Sequence, residues 1–470
     1  MRLSSVSLFC IGLAVAPLAA QDSGTKQYED GGVYTGSFKE GKRHGQGIFT
    51  LPNGYEYSGN WANGEISGQG TARFPDGSLY EGQFKDGKPN GFGKIIFADG
   101  GTYEGDWIDR KITGRGISIL ANGVRYEGEF LNAQYHGIGV LVNPNGFRYE
   151  GQWVGGVKEG RGKVTYPDGS IYEGEMAAGM RSGQGTLNMP DGLTYEGGWA
   201  ADQMEGDGTR VHGNGDVYAG SLKAGAREGE GRMEYANGDV YEGGFKADQR
   251  HGQGVFSLSD GFIYSGEWID GHIEGSGTVN YPDGSIYAGQ IKSDLAHGQG
   301  KVTNPNGANY DGEWVNGVIE GVGVATFPNG ERYEGEFRNA RKEGKGKMTS
   351  PDGRVYDGQW LAGQMHGQGR MEFPNGLIYE GAFASGSRTG KGTLTSDSGF
   401  TYVGMWKDDV AEGSGVATYN TGDVYEGEFA ADKRSGKGVL KYANGETVSG
   451  LWKDGLLVKA DEVVEDAAAD

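Results

Sequence analysis

The chain has 470 residues and a formal charge of −21, with 93 Gly, 12 Pro and one Cys. Glycine at that level points to collagen, to a disordered linker or to a repeat whose backbone needs it at fixed places. Scarce proline without a three-residue period excludes collagen, 26 Tyr, 18 Phe and 9 Trp exclude a solvated coil, and the negative balance disfavours nucleic acid and any global attraction to anionic membranes.

In chain order, residues 1–20 read as a signal peptide. Arg2 gives a positive start, Val6 to Ala16 a short apolar run, and Pro17-Leu18-Ala19-Ala20 a small-residue cleavage site. The run falls well short of the roughly 20 residues that a membrane span needs. Bulky Phe9 beside Cys10 does not resemble a lipoprotein box, so Cys10 leaves with the leader and the mature chain keeps no thiol for disulfide, metal or nucleophilic chemistry. The leader predicts secretion, with the bacterial periplasm or cell envelope as destination. Residues 21–33 hold Tyr28 and Gly31, which fit the second half of an interrupted copy.

From Tyr34 a tyrosine followed two residues later by glycine recurs every 23 residues up to Tyr425 without insertion, and a nineteenth copy has Val448 in the tyrosine place but keeps Gly450 and Trp452. Tyr, Gly and an aromatic alternate with the period of a strand, which places all three on one face. In the second copy this predicts a strand over Glu56 to Trp61. A second strand is expected to start at the Gly-x-Gly pair and run through Phe74 to a Pro75-Asp76-Gly77 turn. Each copy is then a hairpin that cannot bury its own rings, and glycines facing a ring give it room to lie flat on the backbone. The fold class that follows is all-β: an elongated, twisted single sheet of nineteen tandem hairpins over residues 34–455, a solenoid-like rod roughly 180 Å long at about 4.8 Å per strand. Residues 456–470 form an acidic tail whose first part covers the edge of the last strand.

Two columns of the repeat invite chemistry. Five of the seven histidines, His44, His136, His251, His297 and His366, stand just before the first glycine of Gly-x-Gly, and a repeated place argues for a shared structural role at the hairpin end rather than catalysis or metal. Ten copies carry Glu after the tyrosine, with Glu81 to Glu196 in an unbroken run, facing away from the aromatics. Equivalent carboxylates two strands apart stand roughly 10 Å from each other, too far to share one ion. The motif Gly344-Lys345-Gly346-Lys347 lacks the strand–helix setting of a phosphate loop. The residues therefore predict no catalytic centre, no metal and no cofactor.

All nine tryptophans stand four residues after the tyrosine, mostly in alternate copies. Five residues beyond that column, copies with Trp mostly carry an apolar residue, whereas copies with Phe mostly carry a base: Arg43, Arg250, Lys342, Arg388 and Arg434. Two readings stand. In one the column is packing, an indole shielding an aliphatic neighbour while the smaller Phe leaves the loop wet. In the other the bases form a binding row along one edge that meets a repeating anionic partner.

The pattern Y-E-G-x-[FW]-x-x-G-x-x-x-G-x-G-x-x-x-x-x-x-G resembles the MORN repeat, nearly verbatim in the copy with Tyr126, Gly128, Phe130, Gly137, Gly139 and Gly146. The resemblance implies a non-enzymatic scaffold or interaction protein that presents a repetitive surface to protein partners. The alternative it implies is a module for anionic lipid headgroups or envelope glycans. A homodimer is compatible with either reading.

Overall fold

The computed structural model describes residues 22–461. The expected leader, with its cleavage after Ala20, and most of the acidic tail lie outside the described residues. The described residues form two units, one holding 22–215 and 221–225, the other 216–220 and 226–461. Each is an all-β ladder of antiparallel hairpins in which successive strands of the chain are neighbours. Among the described residues there is no α-helix.

The second copy shows how the sequence does this. Strands β1 (Asp22–Gln27), β2 (Val33–Lys39), β3 (Lys42–Thr50), β4 (Glu56–Ala62) and β5 (Glu65–Arg73) open the first unit. Along β4, Tyr57, Gly59 and Trp61 are buried while Ser58 is exposed and Asn60 half-buried, the alternation expected of a half-buried strand. A two-residue turn, Asn63-Gly64, joins β4 to β5 with φ of 52° and 94°. Both values are positive, as in the type I′ turn that matches strand twist. At the other end of the copy, as after β3, Gly54 donates to the Leu51 carbonyl at 3.1 Å and the Asn53 side chain accepts the Tyr55 amide at 3.0 Å.

The second strand differs from expectation. It begins at Glu65, before the Gly-x-Gly pair, so that pair lies inside the strand. The register slips between Gly59 and Trp61, and opposite that slip Gly68 has φ of 84°. The first glycine of the pair is thus the left-handed residue of a bulge. The second, Gly70, is there for space: a Cβ on it would stand 2.3 Å from the Tyr57 hydroxyl oxygen. The ring lies flat over the Gly59–Gly70 cross-strand pair, and its hydroxyl donates to the Asn60 carbonyl at 3.0 Å. A buried phenol with its one proton satisfied is the repeated core element.

The ends follow the same pattern. Gly24 of β1 pairs with Gly36 of β2, the place the second Gly-x-Gly glycine takes elsewhere. At the other end the strand Leu456–Ala460 pairs along Thr447–Lys453, with all five residues exposed.

Candidate binding face

One face of the ladder is occupied by its own packing. In the copy that begins at Tyr126, the ring is fully buried, a Cβ on Gly139 would stand 2.2 Å from its hydroxyl oxygen, and Gly128 lies directly against Gly139. Phe130 is buried edge-on to Tyr126 at 5.0 Å, while Gly137 and Gly146, with φ of 59° and 94°, serve the bulge and the turn. Burial pushes the phenols well above their ordinary value, to about 12 for Tyr126, because a phenolate there would lose its water. Each tryptophan ties its copy to the one before: Trp360 donates its indole N–H to the Gly346 carbonyl at 2.9 Å, and Trp406 to Gly392 at 3.3 Å.

The five bases are placed on this same face. The structure does not bring them to one another. Each reaches forward over the indole of the following copy: Arg43 over Trp61 at 4.2 Å, Arg250 over Trp268, Lys342 over Trp360 and Arg388 over Trp406 at 4.3 Å, and Arg434 over Trp452 at 4.4 Å. Arg388 also donates to the Asp409 carboxylate at 3.2 Å, and Arg434 to the Gly455 carbonyl at 2.8 Å. Burial lowers the Lys342 ammonium from its ordinary value. Each of these five bases thus lies over the Trp of the next copy, a contact that neither sequence reading named. Replacing Arg388 by Gln is expected to cost about 1–2 kcal/mol of local stability. Faster amide exchange confined to the Thr401–Lys407 strand and its neighbours checks this.

The histidine column has a definite place. His297 Nδ1 accepts the Asn316 amide at 3.4 Å, and the glutamates that other copies carry there do the same, Glu159 for Ala178 at 3.0 Å and Glu343 for Ala362 at 2.9 Å. Where the column holds Glu, or His297, it caps the tight turn of the next hairpin, whereas Nδ1 of His44 and of His251 makes no hydrogen bond among the described residues.

The opposite face is open. Here the residue after each tyrosine faces non-carboxylate neighbours on both sides: Glu127 lies between Ile117 and Val140, and Glu173 between Lys163 and Thr186. One strand thus separates successive carboxylates, and several are paired, Glu127 with Arg125 at 2.6 Å and Glu173 with Lys163 at 3.6 Å. The residue two further on clips the bulge, as where Gln359 accepts the Gln368 amide at 2.8 Å. Glycine backbones between these rows leave troughs. One of about 880 Å³ in the first unit is lined by Glu150, Lys163 and Glu196, and one of about 1060 Å³ in the second by Lys391, Val403, Met405 and Glu428. Among the described residues no group of His, Cys, Asp or Glu is arranged to hold a metal ion.

Sequence reasoning missed the second trough. Its centre is the copy Tyr402-Val403-Gly404-Met405-Trp406, where both positions that face the trough are bulky and apolar. Reading those two columns together would have found it.

Comparison with known proteins gives a family and a set of distant likenesses. The family model of the MORN repeat matches eighteen successive segments, from 34–54 and 57–79 to 402–424 and 425–447. Among solved structures, the chain is similar to a SAS-4 TCP domain in complex with a proline-rich motif of Ana2 from Drosophila melanogaster, at 16% identity over 38% of this chain and 90% of that one, with a TM-score of 0.22. It is also similar to a Danio rerio CPAP domain in complex with a STIL peptide, at 12% identity over 72% and 100%, TM-score 0.09. A third likeness is to virginiamycin B lyase from Staphylococcus aureus, at 10% identity over 62% and 83%, TM-score 0.11.

Proposed function

Because the chain belongs to the MORN repeat family, a family of repeat-built interaction modules, we propose that it is a non-enzymatic scaffold of the cell envelope that receives protein segments on the face opposite its aromatic core. The observation that carries this reading is the pair of open troughs, floored by glycine backbone and rimmed by charged side chains of both signs. A concave, mixed surface suits polypeptide, with charge order supplying specificity. The cell-envelope setting rests on the leader-like residues 1–20. The lipid-headgroup and glycan reading has less support, since the five bases it leaned on lie over indoles, and Arg43, Arg388 and Arg434 also share protons with turn carbonyls or a carboxylate.

Affinity capture with the full chain, followed by cross-link mapping, tests the proposal. Partner cross-links are expected at lysines of the open face, such as Lys163 and Lys391. Cross-links confined to Lys158 and Lys342 on the aromatic face would overturn it.

A further inference from the structure

The copy that begins at Tyr402 breaks the rule of the open face. Ten copies carry Glu after the tyrosine, and the next facing residue is commonly Gln, Glu or Asp. Here the two are Val403 and Met405. Val403 is 52% exposed, and its two cross-strand neighbours, Thr393 and Val416, both line the trough. Exposed apolar surface on the floor of a trough, where twelve of the eighteen copies put a carboxylate after the tyrosine, marks a contact.

The charges on either side are ordered. Lys391 pairs in register with Met405, one strand before the apolar centre. Glu426 pairs with Val416 and Glu428 with Ser414, on the strand after that of Val416 and two strands after that of Val403 and Met405. Among the described residues none of Lys391, Glu426 and Glu428 is in an ion pair, whereas Arg370 at the trough's far end is held by Glu380 at 3.0 Å. The strand of Lys391 and the strand of Glu426 are three steps apart, about 14 Å. An extended polypeptide rises about 3.4 Å per residue and sends side chains i, i+2 and i+4 to one side, so its residues i and i+4 also stand about 14 Å apart.

We propose that this trough binds an extended segment of a partner protein in which an acidic side chain lies over Lys391, an aliphatic or aromatic side chain two residues away covers Val403, Met405 and Val416, and a basic side chain two residues further meets Glu426 and Glu428. Lys437 stands one strand beyond and lies past the end of such a segment. The inference rests on the scaffold reading and names the partner's chemistry for this one trough. The segment crosses the strands and adds none to the sheet, so side-chain pattern rather than main-chain pairing selects it.

The test uses the full chain with carbon-13 methyl-labelled methionine and the capped peptide Glu-Thr-Leu-Thr-Lys. Its companions are Glu-Thr-Leu-Thr-Glu, Lys-Thr-Leu-Thr-Lys and Glu-Thr-Ser-Thr-Lys. Met405→Gln assigns the reporting signal. The first peptide is expected to shift the Met405 methyl saturably, and each companion to bind at least fivefold more weakly. Val403→Glu restores the residue that ten copies carry, so it leaves the fold intact, and it is expected to weaken binding at least tenfold. Lys391→Glu is expected to reverse the preference toward the peptide with two lysines. No Met405 shift at millimolar peptide, equal affinity for all four peptides, or unchanged binding by Val403→Glu would each overturn the inference. Partner cross-links on the open face that persist in Val403→Glu would leave the scaffold reading standing, and their absence from that face in the unaltered chain would sink that reading whatever the peptides do.

Discussion

Replacing Gly254 by Val is expected to open the hairpins around it by about 3 kcal/mol while hairpins several copies away keep their amide protection. A Cβ on Gly254 would stand 2.4 Å from the hydroxyl oxygen of Tyr241 and 2.7 Å from two ring carbons, and Gly243 lies directly across from it. The ring has no other seat, because its hydroxyl is bonded to the Gly244 carbonyl at 2.9 Å and its edge abuts Trp268. Trp268 also donates its indole N–H to the Gly254 carbonyl, so the damage passes to the next copy. Hydrogen exchange read segment by segment decides the matter: protection lost near 241–268 and kept near 57–107 is the expected result, and a uniform loss from end to end contradicts the local stacking that the fold implies.

The second large effect is alkaline unfolding. Burial raises Tyr80, Tyr126, Tyr149, Tyr172, Tyr241, Tyr264, Tyr287, Tyr310, Tyr356, Tyr379 and Tyr402 to about 12. Tyr57, Tyr103 and Tyr333 are pushed higher still. An unfolded tyrosine ionises near 10. Below pH 10 both states keep their phenol protons and the stability is intact. Between about 10 and 12 the unfolded chain releases protons that the folded chain holds, so stability falls steadily through that window, once for every buried ring. The chain is expected to unfold within it, with phenolate absorbance and loss of strand signal rising together. More phenolate near pH 10 than the eight tyrosines outside the repeat column can supply, with the strand signal persisting, would show that the column rings are not sealed as described.

Much of this was legible because one column of residues does one job. Tyr57, Gly70 and the aromatic column announced strand, seat and face at a fixed spacing, and eighteen repetitions made the pattern unmistakable. What stayed hidden involved positive φ carried by residues that do not advertise it. Asn63-Gly64 reads as a tight turn, but Ala201-Asp202, with φ of 46° and 69°, makes the same turn from residues of weak preference. The bulge at Gly68 was masked because a strand and a bulged strand share the same apolar alternation. The partner of Arg388 was hidden for another reason. Its indole is 18 residues ahead, so the pattern within one copy points to Phe383 where the contact is with Trp406. Val403 and Met405 carry no such signal, because a departure that marks chemistry gathers polar groups and this one is apolar.

The forward reach of these side chains has a wider consequence. The Trp360 side chain reaches back 14 residues, that of Glu343 forward 19 and that of Arg388 forward 21, so these ties end on an adjoining copy. A block of 23 residues can therefore be excised or duplicated and the cut ends will find equivalent groups in equivalent places. Length in such a chain is an adjustable quantity, independent of the chemistry that holds any one copy. A trough with its own sequence, such as that around Val403, can be moved along the array like a bead on a graduated scale.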